Sequence, residues 1–243
     1  MIYKLKIAAL TLATGFMFAS CDDFVEDVEV TVPEAENSEE DFEPVNFLTG
    51  VYGMHTDFSY AFSYLGITEM ISDNADKGSS PTDSGTDKRE LDNLTHTSSS
   101  VSVRAMWTQW YKTIGRASQT IALTQEYTGQ SAAPAQRVIA EAKFLRALNY
   151  FWLVRSFGDV PLQHIDLIDR APASEVYAYI EQDLTEAIAA LPNKNEYSNL
   201  DVGRASKGSA QGLLAKVYLY QEKWQQAADM ANNLITSGQY DLE

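Results

Sequence analysis

The stretch from Glu141 to Leu162 reads EAKFLRALNYFWLVRSFGDVPL, and it carries the clearest structural pattern in the chain. Its apolar residues recur at steps of three and four, which is the period of an amphipathic helix. Pro134 can occupy the first turn upstream, and Gly158 followed by Pro161 is typical of the end of a helix. The sequence therefore predicts one long helix, buried along the stripe Ile139, Ala142, Leu145, Leu148, Phe151 and Trp152.

The helical period continues on both sides of this stretch. A preceding helix is predicted from residue 102 onward, and later helices are predicted with Ser174 and Ser206 as N-caps and from about Trp224 to Ile235. The apolar face of the preceding helix is Val103, Trp107, Trp110, Tyr111, Ile114, Ser118 and Ile121. A short helix is also indicated by Phe47, Leu48, Val51 and Tyr52.

The last two predicted helices have the spacing of a tetratricopeptide repeat. Leu214-Ala215 is followed by an aromatic residue, Tyr218, and then by a small residue, Ala227, so that two helices can approach closely. An ordinary amphipathic hairpin is the alternative. We predict an all-α fold with a tetratricopeptide-like helical repeat, long irregular loops and little strand. Residues 72–101, rich in Ser, Thr, Asp and Gly, are predicted to form a loop region.

The N-terminus has the form of a bacterial lipoprotein signal. In residues 1–20, two lysines precede an apolar run with small residues at its exit. The tetrapeptide FASC, which ends at Cys21, resembles a lipobox in which Phe18 replaces the usual Leu. We therefore expect Cys21 to be the lipid attachment point that holds the protein to a membrane, with a free thiol as the alternative.

An acidic segment follows the cysteine. Asp22–Glu43 contains eleven Asp and Glu residues and no Lys or Arg, a self-repelling composition typical of a tether. We accordingly divide the chain into a signal peptide at 1–20, an acidic tether at 21–43 and a helical domain at 44–243. Removal of the signal and its two lysines changes the net charge from −16 to −18.

Composition excludes several classes of function. With 18 basic and 34 acidic residues, the chain lacks the basic character that nucleic-acid binding needs. Its single cysteine excludes a disulfide framework and a Cys-ligated zinc site. The common hydrolase, metalloprotease and phosphate-binding motifs are missing from the sequence, but 34 acids leave a catalytic carboxylate pair open. Asp73, Asp76, Asp83 and Asp87 depart from EF-hand spacing, so a solvated loop is favoured over calcium, and we expect no cofactor.

Aromatic residues suggest a carbohydrate site. Tyr60, Phe62 and Tyr64 alternate, with Asp73 and Asn74 shortly after. Sugar rings stack on aromatic planes, and polar side chains bind their hydroxyls, so Tyr60, Tyr64, Asp73, Asn74 and His96 are the candidate ligand-binding residues. The favoured alternative for the alternating aromatics is a short half-buried strand followed by a turn.

The Glu141–Leu162 stretch resembles the signature of the SusD/RagB nutrient-binding outer-membrane lipoproteins. Further blocks agree in order along the chain. They are Trp107, Tyr111 and Ile114; Tyr177, Ile180, Asp183, Leu184 and Ala187 before Leu191-Pro192; and Gly203-Arg204-Ala205-Ser206-Lys207-Gly208 before the Leu213–Tyr220 run. Family members are considerably longer, so this chain is similar to the N-terminal part of one.

The resemblance implies a non-catalytic protein, lipid-anchored at the cell surface, that captures glycans or other nutrients and delivers them to a SusC-like TonB-dependent barrel. It marks Glu141, Arg146, Gly158, Pro161 and Arg204 as signature residues. For Arg146 we favour a structural ion pair within the helical packing, with Asp183 as partner, over a role in ligand recognition. Two other classes remain open: a tetratricopeptide adaptor that binds only proteins, and a surface glycoside hydrolase.

Overall fold

A computed structural model describes residues 43–78, 80, 84–130, 133–162 and 169–241. This part of the chain contains eight α-helices: α1 (Pro44–Gly53), α2 (Phe58–Leu65), α3 (Thr86–Asp92), α4 (Val101–Glu126), α5 (Ala135–Phe157), α6 (Ala173–Ala190), α7 (Lys207–Tyr220) and α8 (Trp224–Thr236). Short 3₁₀ turns occupy Met54–Thr56 and Lys194–Glu196, and a π-helical turn follows α2 at Gly66–Met70. The only extended pairing among the described residues is one antiparallel bridge between Val160 and Ala171. The all-α prediction is confirmed.

Each helix from α4 to α8 packs against the next one in sequence, the arrangement expected of a helical repeat. In the last pair, Leu214 and Ala227 are buried and Tyr218 is half-buried. A Cβ at Gly212 would meet Leu234 at 3.5 Å, which shows how closely α7 approaches α8.

Two apolar clusters hold the helices together. The larger one joins α4, α5, α6 and α7, and its largest fully buried side chains are those of Trp110, Tyr150, Phe151, Met106, Ile114, Leu153, Ile180, Leu184 and Leu214. The smaller one packs α1 onto α4 and α5 through Leu48, Val51, Ala117, Ile121, Val138 and Leu145. The short helix predicted from Phe47 to Tyr52 is therefore confirmed, and its buried residues explain why it forms.

Helix ends agree with the sequence in most places. Pro134 precedes α5, Gly158 caps its C-terminus with a φ of 71°, and the Ser206 hydroxyl accepts a hydrogen bond from the Ser209 amide at the start of α7. The N-cap prediction at Ser174 is wrong, because α6 begins at Ala173. There the carboxylate of Asp159 accepts from the Ala173 amide at 2.8 Å and replaces a cap from the flanking residue.

The region before α4 is more helical than predicted. The alternating aromatics lie on α2, so the strand interpretation is wrong. Residues four apart share one face of a helix, and the rings of Phe58 and Phe62 on α2 accordingly stack with centroids 5.7 Å apart. Part of the predicted 72–101 loop forms α3, where Lys88 and Leu91 are buried.

Residues 1–42, with Cys21 and the predicted tether, lie outside the described residues, as do Asp83 and His164. Among the described helices, none is long and apolar enough to cross a membrane.

Candidate ligand-binding groove

The two tyrosines predicted to bind ligand lie side by side on α2. Their rings stack with centroids 6.0 Å apart, and both contact Trp152 of α5. Tyr60 is only 5% exposed and packs in the larger apolar cluster, and its contact with ligand stays a prediction. Burial raises the pKa of the Tyr60 hydroxyl. Tyr64 is half-buried, and its contact with ligand stays a prediction.

The polar candidates lie apart from these rings. Asp73 and Asn74 are exposed in the turn after the π-helical segment, where the Asn74 amide donates to the Ser72 hydroxyl at 3.3 Å. Among the described residues, no group of side chains there has the composition of a metal site. His96 lines a hollow of about 510 Å³ with Arg155 and Phe157, and its Nδ1 is buried without a hydrogen-bond partner in the part of the chain described. Ligand contact by these three residues remains a prediction.

An extended concave surface runs along the exposed side of α4. It consists of three adjoining hollows of about 510, 310 and 730 Å³. The first two share Ser98, Val103 and Phe157, and the last two share Trp107 and Thr108. We call this surface the α4 groove. A sugar chain of several units can be accommodated in an elongated open surface of this kind.

Aromatic rings form the floor at the middle of the α4 groove. The Trp107 ring lies 4.9 Å from Tyr111 and 5.0 Å from Phe157, measured between centroids, and meets Phe157 edge-on. The Tyr111 hydroxyl donates to the carbonyl of Pro161 at 2.8 Å, which fixes the ring. Burial raises the pKa of Tyr111, whereas the nearby positive charge of Arg170 lowers it to a smaller extent.

Sequence reasoning assigned Trp107 and Tyr111 to the buried face of their helix and so missed the groove. Both are half-buried: one side of each ring packs on the core and the other lines a hollow. A usable pattern was present, because Arg104, Thr108 and Lys112 follow at steps of four immediately beside the aromatic face. A polar stripe that borders exposed aromatics is typical of binding surfaces.

Glu141 lies at the centre of a buried polar network below the groove. Its carboxylate is 0% exposed, accepts from the Tyr52 hydroxyl at 2.7 Å, and lies 3.1 Å from Arg137 Nε and 3.4 Å from Arg204 Nη1. The Ala205 amide in turn donates to the Tyr52 oxygen at 2.8 Å. Burial raises the pKa of Glu141, and the Tyr52 hydroxyl and the two guanidiniums partly offset that rise. The network fastens α1, α5 and the segment before α7 to one another.

Arg146 makes the structural ion pair that was expected of it. Its Nε and Nη2 each lie 2.8 Å from an oxygen of Asp183, a bidentate pairing between α5 and α6. The remaining Nη1 donates to Ser118 of α4 at 3.1 Å, and the guanidinium lies over the Tyr179 ring. Arg146 therefore joins three helices and is directed into their packing.

Comparison with known proteins agrees with this architecture. A family profile described as "Starch-binding associating with outer membrane", of the SusD-like type, matches residues 34–219. SusD-like protein P2 of Formosa agariphila is 33% identical over 207 residues, which are 80% of this chain and 39% of that protein. The chain thus spans about two fifths of this relative's length.

Solved structures give the same result. A SusD homolog from Bacteroides thetaiotaomicron matches with a TM-score of 0.70 and 30% identity, over 82% of this chain and 41% of that one. A protein described as a laminarin-binding SusD-like protein matches with a TM-score of 0.66 and 35% identity, over 77% and 41%. With the family profile covering most of its length and the helical architecture shared, the chain belongs to the SusD-like family of outer-membrane-associated glycan-binding proteins.

Proposed function

We propose that this protein captures oligosaccharides at the cell surface without cleaving them and delivers them to a SusC-like TonB-dependent barrel in the outer membrane. Lipidation of Cys21 holds it there. Membership of a family of binding proteins associated with the outer membrane supports the proposal. So does the resemblance of the N-terminus to a lipoprotein signal.

The observation that carries the binding function is the aromatic floor of the α4 groove. Trp107 and Tyr111 offer ring surface to an open hollow of about 730 Å³, and Thr108 and Gln119 provide hydrogen-bonding groups beside it. Apolar ring surface with a few polar groups is the combination that small-molecule sites use to bind and orient a ligand. Sugars fit it well because one face of a pyranose is apolar and its rim is polar.

A glycan panel with the purified protein, read by calorimetry and by assay of reducing ends, tests this function. Binding without release of reducing ends is expected, and Trp107→Ala is expected to weaken binding by at least tenfold. The matched control is Trp224→Ala, which removes an equally large ring that is 61% exposed on α8. Circular dichroism must show both variants folded, and equal effects of the two substitutions would contradict a site in the α4 groove.

The two alternatives give different outcomes in the same experiment. A tetratricopeptide adaptor would bind none of the glycans; the exposed Trp224 and Ile235 on α8 are the feature that favours it. A surface glycoside hydrolase would release reducing ends. Delivery to a barrel requires that a large TonB-dependent protein co-purify with the protein from outer membranes, and its absence would contradict that part of the proposal.

A further inference from the structure

The charge of the α4 groove is opposite to that of the protein as a whole. The chain has 34 acidic and 18 basic residues. The residues that line the groove and the adjoining hollow on α4 include five with positive side chains: Arg104, Lys112, Arg116, Arg155 and Arg170. Among the described residues lining these hollows there is no Asp or Glu.

The cations on α4 lie at the surface of the described part of the chain. Arg104, Lys112 and Arg116 are exposed, and within the described part of the chain none of them forms an ion pair with a carboxylate. In this they differ from Arg137, Arg146 and Arg204, which are engaged in the buried networks, and from Arg155, which donates to Tyr220 and lies over the Phe151 ring.

Their spacing fits an extended polyanion better than a single ion. Eight residues separate Arg104 from Lys112, a distance of about 12 Å along the helix axis, and four more lead to Arg116. An extended polyanion can place a separate charged group at each of these positions. The aromatic rings of Trp107 and Tyr111 lie between them, so stacking surface alternates with positive charge along the groove.

We infer that the ligand of the α4 groove is an anionic oligosaccharide, with carboxylate or sulfate groups that bind Arg104 and Lys112 while its sugar rings stack on Trp107 and Tyr111. This inference rests on the proposed function and narrows it to a class of glycan. The aromatic floor and the positive rim together favour a charged sugar over a neutral one, because hydrogen bonds from Arg and Lys to an anionic group are stronger than those to a neutral hydroxyl. They also favour it over a phospholipid surface, which needs no ring floor.

The test uses ligands that differ only in charge. Oligogalacturonate is compared by calorimetry with its methyl ester, and a carrageenan oligosaccharide with its desulfated form, which distinguishes carboxylate from sulfate as the recognised group. A neutral laminarin oligosaccharide and phosphatidylglycerol vesicles complete the set. We expect at least one anionic form to bind and its neutral counterpart to bind at least tenfold more weakly. Raising NaCl from 50 to 500 mM is expected to weaken binding, because salt screens exposed charges.

Two double variants assign the effect to the groove. Arg104→Gln/Lys112→Gln is expected to weaken binding of the anionic form about 2- to 30-fold, from the summed free energies of two exposed charge contacts. Lys207→Gln/Lys216→Gln on α7 removes the same net charge elsewhere and is expected to leave binding unchanged. All four positions are half-exposed or exposed in the structure, so both variants are expected to fold.

The remaining outcomes of these binding experiments would each overturn the inference of an anionic ligand in a different way. If neutral glycans bind and charged forms bind no better, the inference is wrong while the proposed capture function stands. If no glycan binds, both fail. Equal losses in the two double variants would show a general effect of net charge and overturn the assignment to the groove. Charge-dependent binding of vesicles without any binding of glycan would identify a membrane surface and overturn it as well.

Discussion

Replacement of Asp183 by Ala tests the reasoning about the signature helix most directly. The Arg146–Asp183 pair is bidentate, and its side chains are 12% and 4% exposed. Without Asp183, the guanidinium keeps only Ser118 and the Tyr179 ring as partners in a site from which water is largely excluded. An uncompensated buried charge is costly, and removal of one partner of a buried pair destabilises proteins by about 3–5 kcal/mol.

The same two helices supply an internal control. Lys143 and Glu186, three residues away from Arg146 and Asp183 respectively, also form an ion pair between α5 and α6, but their side chains are 17% and 43% exposed. Because solvent screens such a pair, Glu186→Ala is expected to cost about 0–1 kcal/mol. The two pairs join the same helices at neighbouring turns, so a difference in the free energy of unfolding lost by the two variants reports the difference in burial.

Urea denaturation followed by circular dichroism provides the assay. With a denaturant dependence of about 1–3 kcal/mol per molar, Asp183→Ala is expected to lower the unfolding midpoint by about 1–5 M, and Glu186→Ala by no more than about 1 M. Arg146→Met/Asp183→Leu, which removes both charges, is expected to regain much of the loss. If the two variants lose free energies of unfolding that differ by less than about 1 kcal/mol, burial does not make the Arg146–Asp183 pair more stabilising than the exposed pair, and the reasoning is refuted.

Two further predictions concern Gly158, at the C-terminal end of α5, and Cys21, the predicted lipid attachment point. Gly158→Ala is expected to destabilise the protein by about 1–3 kcal/mol, because its φ of 71° is unfavourable for alanine. The added Cβ would meet no atom within 4 Å, so the effect isolates the backbone conformation. Gly203→Ala is the control, because Gly203 also lies in open space but lacks a positive φ, and it is expected to change the urea midpoint little. Cys21→Ala is expected to move the protein from the membrane fraction to the soluble fraction of cells, and continued sedimentation with membranes would contradict lipid attachment at Cys21.

The helices from α4 onward were predictable because their local signals agree with their packing. The apolar stripe of α5, the proline before it and the glycine after it all specify the same helix, and tertiary contacts only reinforce that choice. The Arg146–Asp183 pair was predictable for a related reason. An arginine among core residues of a platform helix needs a buried acid, and Asp183 lies on the core face of the adjoining helix.

The region before α4 was not predictable from periodicity alone. Aromatic residues at positions 60, 62 and 64 satisfy a strand of period two, yet positions 60 and 64 also satisfy a helix. The decision depends on Asp57, whose carboxylate accepts from the Tyr60 amide at 3.1 Å and starts α2, and on the packing of Tyr60 against Trp152. The contact between Tyr60 and Trp152 joins residues far apart in sequence, so no local pattern can predict it.

The α4 groove was missed because one helix serves two surfaces. On α4, Trp110 and Ile114 face the core, while Arg104, Thr108 and Lys112 face the groove, and an apolar periodicity describes only the first set. The aromatics at the boundary belong to both surfaces, so their assignment to the core was correct but incomplete.

This double role of α4 links the signature residues to the proposed ligand site. The hydroxyl of Tyr111, in the floor of the α4 groove, donates to the carbonyl of Pro161 in the signature turn. Trp107 rests on Phe157, the last residue of the signature helix before Gly158. The signature stretch therefore fixes the groove's floor, while Arg104 and Lys112, the charged contacts that we infer for a ligand, come from α4. It follows that the signature can be shared by relatives that bind different glycans, because side chains at positions such as 104 and 112 can change without disturbing the packing beneath them.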